Sequence, residues 1–460
     1  MSDSNIKIEV HLIQNFAPSN LNRDDTGQPK SAVFGGFRRA RISSQCSKRS
    51  VRLFWRERQT VPLGYRTKRL QELIVKELKK DESFKSVVPN EEDISRGVRL
   101  FTDAYYAESD KKNPDKTNVL VFIGPEEVEV CAQAVKELWN DPVAKDDNKD
   151  DKKKGKKSKA VKGISTIIQE IKALEGKNSS QKSVSDNENQ MNENSDDSAD
   201  DKGSEDASSN KKDKKHKLEV VKEIQEKIVA ARVSADIALF GRMLAEQPER
   251  NTEAACQVAH PISTHKVDME MDFFTAVDDL NPSGETGAGM MGIVGFNSAC
   301  YYRYAVVDRD LLARNLARKT ERTVGMWAQE LTDEDFKEAD KVIKAFLEAM
   351  VYAIPTGKQN SFAALNLPSF GLFVRREGGV PISLANAFSS PVRPKKEDDD
   401  IVGLSVDKLT EHWGELKKVY RDQSIKKTTC FHVNQKGRLN DLEGSVKEDV
   451  ITAIEEILQD

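Results

Sequence analysis

Residues 38–58, RRARISSQCSKRSVRLFWRER, hold eight Lys or Arg against a single acid, Glu57. A face kept charged only for solubility mixes both signs, so an almost unbroken run of cations suits a phosphate backbone. Arg23 and Lys30 add to it from the preceding loop, and Arg38, Arg39 and Arg41 open the block. Ser43, Ser44 and Gln45 follow, and together with the open N–H groups of a helix start they offer hydrogen bonds to phosphate oxygens. Asp24–Asp25 and Asp278–Asp279 are acid pairs. Paired carboxylates hold Mg²⁺ for phosphodiester cleavage, but acids in polar loops also cap turns, and no His–Lys set stands beside either pair. Cys256, His260 and His265, with Asp268, offer metal-ligand atoms without the paired short spacings of a zinc site, so they read as ordinary strand and turn residues. Gly287, Gly289 and Gly292 spell GxGxxG. A dinucleotide fingerprint needs a strand before it and a helix after it. Here NPSGET precedes and a strand follows, so this stretch reads as a flexible connector. No metal and no cofactor are expected.

Those residues need elements to hold them. In residues 5–13, Ile6, Ile8, Val10 and Leu12 alternate with Lys7, Glu9 and His11, which predicts a half-buried strand. From Ser44 the chain reads as a helix with a serine N-cap. Val51, Phe54 and Trp55 share one face, and Lys48, Arg49, Arg52 and Arg56 share another. Residues 67–139 read as mainly helical around a strand-like run at 118–124, and 218–246 as helical again. Val267, Met269, Met271 and Phe273 alternate as one arm of a hairpin, and CYYRYAVVD is a strong strand. Helical stretches at 309–319 and 332–352, strand-like pieces around 361–376, and helices at 405–421 and 445–458 complete an α+β class.

Composition bounds the rest. The chain has 460 residues with 37% hydrophobic and 32% charged, a balance too polar to be folded throughout. The polar excess lies in 145–217. Residues 145–162 carry nine lysines and four aspartates, and 181–206 carry nine acids, two lysines and no aromatic. Such sequence buries too little apolar surface to offset chain entropy. Within it, Ile164, Ile167, Ile168, Ile171 and Leu174 keep helical spacing and could form a short helix. A net charge of −4 excludes a uniformly basic coat, leaving a local basic patch. Five scattered cysteines, never spaced CxxC, argue against a disulfide framework. With no signal-peptide pattern and no long apolar run, the expectation is a cytoplasmic protein and no membrane.

LNRDD (21–25), FGGFRRARISSQ (34–45) and Lys48–Arg49 resemble the opening of the CasC family, the guide-RNA-binding backbone subunits of the type I-E CRISPR surveillance complex, Cascade. DIALFGRM (236–243), AHPISTHKVDMEMDFFTAVDDL (259–280), YYRYA (301–305), KQNSFAALN (358–366) and PISLANAF (381–388) follow in the family order. The resemblance implies a ferredoxin-like, RRM-type palm, an inserted helical fingers domain and a β-hairpin thumb. On that reading residues 1–59 begin the palm, 60–250 are fingers including the charged insert 145–217, 258–292 are the thumb, and 293–460 complete the palm and the C-terminal helices. It also implies no catalysis by the subunit itself. Its partners would be the CRISPR guide RNA, a target DNA strand paired through the guide, further copies of itself and the other Cascade subunits.

Carried over by position, Lys48, Arg49 and Arg52 grip the guide backbone, with Arg23 and Lys30 as further phosphate contacts and Ser43, Ser44 and Gln45 beside the RNA. Phe273, Phe274 and Thr275 match the thumb residues that wedge at a kinked base, and Met243 matches a residue packed beside the bases. Sequence-blind binding needs this combination of backbone charge with stacking or wedging groups. The alternative is a metal-dependent ribonuclease of the related RNA-repeat-associated superfamily, using Asp24 or Asp25.

Overall fold

Contacts divide the chain into two units in this computed structural model. The first holds Met1–Leu63, Ala235–Arg242 and Thr252–Asp460, and the second Gly64–Ser234 and Met243–Asn251. Described residues are 5–88, 90–140, 162–185, 217–244, 247–277, 279–280, 288–323, 326–397, 399–433 and 437–459.

The first unit opens with β1 (Ile6–Ser19), a hairpin of β2 (Ser31–Phe34) and β3 (Phe37–Ala40), and the basic helix α1 (Ser44–Arg58). The second unit follows. It contains β4 (Tyr65–Thr67), α2 (Leu70–Leu78), α3 (Glu82–Val87), α4 (Glu91–Tyr105), β5 (Val121–Ile123), α5 (Pro125–Glu137), α6 (Ile164–Ser185) and α7 (Lys222–Ala230). The chain then returns to the first unit with α8 (Ala235–Phe240), β6 (Cys256–Val258), β7 (Ile262–Ser263) and the long hairpin β8 (Glu270–Val277)–β9 (Ala288–Asp308). Next come α9 (Arg309–Ala317), β10 (Arg322–Thr323), β11 (Met326–Trp327), α10 (Asp333–Tyr352), α11 (Gln359–Phe362) and β12 (Phe370–Glu377). α12 (Ile401–Tyr420), β13 (Ile425–His432) and α13 (Val450–Leu458) close it.

One antiparallel sheet organises the first unit, in the order β13-β12-β1-β9-β6, with β7 and β8 also paired to β9. β1 lies at its centre and is buried on both faces, unlike the half-buried strand the alternation predicts. Ile8, Val10 and Leu12 are buried on one face, and Glu9, His11 and Ile13 on the other. The polar face survives burial because its groups are partnered. Glu9 is ion-paired to Arg376, which also holds Asp422, and accepts hydrogen bonds from Tyr304 Oη at 2.9 Å and Ile382 N at 3.1 Å. His11 Nδ1 meets Tyr302 Oη at 2.9 Å. Leu384, Phe388 and Val392 of the connecting segment, with Val402, Val406, Leu409 and Trp413 of α12, cover this side.

The β2–β3 hairpin falls where the sequence reads as a polar loop. Gly35 and Gly36 form its two-residue turn, with φ of +60° and +82°, the left-handed geometry that such a hairpin requires. A Cβ on Gly35 would lie 1.8 Å from the Ser389 carbonyl oxygen, so glycine is also a steric necessity there.

The second unit is mainly helical, as its sequence predicts, around buried Leu70, Ile74, Phe101, Cys131 and Val135. Ile164, Ile167 and Ile168 of α6 sit in this same core. The apolar island inside 145–217 is a helix, as its spacing predicts, and it is packed into the core of a folded unit, so this part of the insert folds. Residues 141–161 and 186–216 lie outside the described residues.

Candidate nucleic-acid interface

The start of α1 is built by the loop before it. Ser43 is the N-cap, its hydroxyl accepting from Cys46 N at 3.2 Å, and Ser43 N donates to Asn22 Oδ1 at 2.8 Å. The loop folds back on itself. Lys30 N donates to Asn22 O and Arg41 N to Lys30 O, both at 2.9 Å. Asp24 Oδ1 closes the loop's tip by accepting from Thr26 N, Thr26 Oγ1 and Gln28 N at 3.0, 2.7 and 3.0 Å. Asn20 Nδ2 bonds the carbonyls of Gly27 and Gly295 at 3.0 and 2.9 Å, fixing the loop against β9. No acid lies in the first turn of α1.

Cations gather around this cap. Lys30 and Arg49 lie close enough to Cys46 for their charges to oppose the upward push of burial on its thiol pKa. Arg41 Nη1 meets His260 Nδ1 at 2.9 Å, and the His260 pKa is lowered by burial, then by Arg41 and Lys30. Arg23, Arg38, Gln45 and Arg49 are exposed, and Lys30, Arg41 and Ser44 are half-buried. Together these residues form a positive surface that can meet a phosphate chain.

Three of the sequence-predicted cations are held differently. Arg39 is fully buried and donates to the carbonyls of Ser263 at 2.9 Å, Phe388 at 2.7 Å and Ser389 at 3.4 Å, so it fastens β3 to the sheet instead of facing solvent. Arg52 Nε donates to Asp236 Oδ2 at 2.9 Å. Lys48 Nζ and the Arg52 guanidinium both lie over the Phe240 ring, 5.3 and 4.8 Å from its centre. Asp236 and Phe240 belong to α8, which sequence reasoning left without a role. An aspartate inside the otherwise apolar run DIALF was the available signal.

The β8–β9 hairpin carries the aromatic candidates. Phe273 pairs with Ile293, Phe274 with Gly292 and Thr275 with Met291. Phe273 is 60% exposed and Phe274 39%, so neither ring is buried. Directly paired residues share a face, which puts Met271, Phe273, Ile293 and Met291 on one exposed apolar face. Phe274 lies on the other, across Gly292, where an added Cβ would be 2.3 Å from its ring. Gly289 and Gly292 therefore sit within a strand, not in the flexible connector expected of them; Gly287 and Asp278 lie outside the described residues. Met243 is 86% exposed and belongs to the second unit.

The other constellations are occupied elsewhere. Asp24 is spent on its turn, and its pKa is lowered first by the Thr26 hydroxyl. His265 accepts from Cys300 N at 3.2 Å, and burial pushes the Cys256 thiol up to about 12. Among the described residues no group of three or more His, Cys, Asp or Glu is placed to hold a metal, and no helix is long and apolar enough to cross a membrane.

A family model for CT1975-like proteins matches residues 8–183 and 166–459. The chain is a CT1975-like Cas protein. The match runs well past the last recognisable block, at 381–388, and takes in β13 and α13. A chain from a "CRISPR RNA-guided surveillance complex, pre-nicking" resembles this CT1975-like protein with a TM-score of 0.66 at 24% identity. One from a "CRISPR RNA-guided surveillance complex" does so with 0.61 at 20% identity. Each comparison covers 98% of this chain and 99% of the other, and at these identities the likeness is one of fold. A search of curated proteins returned no match.

Proposed function

We propose that this CT1975-like protein is a non-catalytic, guide-RNA-binding backbone subunit of a CRISPR surveillance complex, of the CasC type found in type I-E Cascade. The observation that carries the reading is the positive surface around the start of α1, where Arg23, Lys30, Arg41 and Arg49 collect beside a helix N-terminus without an acid in its first turn. Such a surface holds phosphates through charge and N–H groups and is blind to sequence, as a guide carrier must be.

The fold supports the same reading. The order β12-β1-β9-β6, with α1 between β1 and β6 and α9 and α10 between β9 and β12, is that of a ferredoxin-like palm. The second unit enters after α1, as fingers would, and β8–β9 supplies a thumb with exposed Phe273 and Phe274. Copies stacked along one guide would each hold a short stretch of it, pre-ordering the bases while pairing with target DNA supplies specificity. Asp24, engaged in its turn, is poorly suited to hold a metal, which supports a role without cleavage.

The test is binding of the full chain to two unrelated single-stranded RNAs across a salt series, with Mg²⁺ present and RNA length checked afterwards. Equal affinity for both sequences, falling steeply with salt and with no cleavage, is expected. Binding of neither RNA, or cleavage lost in Asp24→Ala or Asp25→Ala, would overturn it.

A further inference from the structure

His260 stands on the positive surface, exposed, in the turn between β6 and β7. The chain around it is tied to the start of α1. Arg41 and Ile262 form an antiparallel bridge, Ile42 N donates to Pro261 O at 3.0 Å, and Arg41 N donates to Lys30 O at 2.9 Å. Backbone hydrogen bonds thus lace together the opening loop, the β3–α1 link and the β6–β7 turn. His260 Nδ1 lies 2.9 Å from Arg41 Nη1. A guanidinium only donates, so Nδ1 is the acceptor and the neutral ring carries its proton on Nε2. Among the described residues nothing hydrogen-bonds that Nε2. The other histidine of this stretch is spent. His265 is half-buried, with Nδ1 donating to Lys266 O at 2.8 Å and Nε2 accepting from Cys300 N at 3.2 Å.

The charges acting on His260 are those of Arg41, from the β3–α1 link, and Lys30, from the opening loop. Both lower its pKa, after burial, and no carboxylate is among the groups that act on it. The ring is therefore neutral near pH 7, with one nitrogen held by Arg41 and a free N–H donor beside two cations that attract phosphate. We propose that His260 is a guide-contacting residue, its Nε2–H donating to a phosphate oxygen of an RNA strand that Arg41 and Lys30 hold by charge. Arg41 then serves twice, as a cation and as the group that fixes the tautomer of the ring. A bound phosphate offsets the two cations and favours the charged imidazole. The complex thus binds more protons than the free protein, and affinity rises as pH falls through the titration of the ring. This rests on the guide-binding reading above.

The experiment is affinity of the full chain for a labelled single-stranded RNA, across a salt series near pH 8 and near pH 6. It compares wild type, His260→Ala, His260→Gln and Arg49→Ala, with thermal melts alongside. At the higher pH, His260→Ala should weaken binding by about three- to tenfold, the scale of one hydrogen bond. A neutral donor releases no counterion, so the slope of log affinity against log salt should stay as in wild type, whereas Arg49→Ala flattens it by about 0.7. Glutamine keeps an N–H donor but takes up no proton. His260→Gln should therefore bind within about twofold of wild type at the higher pH and about threefold or more below it at the lower. Unchanged affinity in His260→Ala at both pH values overturns the proposal. So does a loss that His260→Gln shares in full at the higher pH, which would show a role in folding alone. A wild type whose affinity changes with pH no more than that of His260→Gln also overturns it, because no phosphate then lies beside the ring. If His260→Ala melts below the assay temperature, the pH dependence of His260→Gln decides alone. Failure of the wild type to bind any RNA is a separate outcome that removes the guide-binding reading as well.

Discussion

Arg49 and Arg52 stand one turn apart on α1, yet their loss should register in different measurements. Arg52 is paired at 2.9 Å to Asp236, whose side chain is fully buried. Truncating Arg52 leaves that carboxylate in the interior without this partner. Breaking a fully buried pair costs about 3–5 kcal/mol, and the partial exposure of Arg52 reduces the expectation to about 2–3 kcal/mol. Loss of the contact with the Phe240 ring adds about 0.5 kcal/mol. At about 2–4 °C per kcal/mol for a unit of this size, Arg52→Ala should lower the thermal midpoint of the RNA-free protein by roughly 5–14 °C. Arg49 is exposed, so Arg49→Ala should leave the midpoint within about 1–2 °C. It should instead flatten the slope of log affinity against log salt by about 0.7 per subunit, the value of one contact to a single-stranded backbone. Calorimetry and fluorescence anisotropy on the same preparations measure both. An Arg52→Ala protein that melts like wild type would refute the buried-pair argument, and an unchanged slope in Arg49→Ala would remove Arg49 from the phosphate surface.

Other outcomes follow from the same structure. The His11 imidazole is held neutral, its pKa pushed down from 6.5 to about 3, first by burial and then by Arg376. The unfolded chain therefore binds more protons between those values, so this contribution to stability is present above pH 6.5 and is lost as pH falls toward 3. Between pH 7.5 and 5.5, urea unfolding of wild type should lose about 1.4 kcal/mol more than that of His11→Gln; equal losses would contradict the assignment. Gly292→Ala places a methyl group where the Phe274 ring lies, so it should disturb the regular chemical-protection pattern of a bound guide as Phe274→Ala does. A normal pattern in both would take Phe274 out of the wedge role. Replacing 186–216 with a short Gly/Ser linker should leave folding and RNA binding intact, whereas Ile167→Ala, in the core of the second unit, should cost about 2–4 kcal/mol by denaturant titration. A linker variant that fails to fold, or an Ile167→Ala protein as stable as wild type, would reverse this division.

What could be read from the sequence depended on whether the partners were local. α1, with its serine cap and its apolar face of Val51 and Trp55, follows from spacing alone, as do α10 and the strong strand within β9. The second burial of β1 was invisible, because Glu9 and His11 are polar and their partners Arg376, Tyr304 and Tyr302 lie about three hundred or more residues away. β13 was missed because its segment, IKKTTCFH, is half polar and takes its register from β12. The β2–β3 hairpin hid in a stretch rich in Gly and Arg, where two adjacent glycines were its one local signal. In the candidate site the basic block was legible, but the division of labour within it was not. Charge alone does not separate Arg39, bonded to three carbonyls, from exposed Arg38 beside it.

The central claim is that this surface carries a guide, and its most direct test is the nucleic acid that accompanies the native complex. The full chain should be purified with its neighbouring subunits, its A260/A280 ratio measured, and any bound RNA extracted and sized. The account predicts a ratio dominated by nucleic acid and RNA of one discrete length, displaced when Arg23, Lys30, Arg41 and Arg49 are replaced together in a protein that still folds. A protein-only spectrum from an intact assembly, or RNA of random length unaffected by those four replacements, would contradict it.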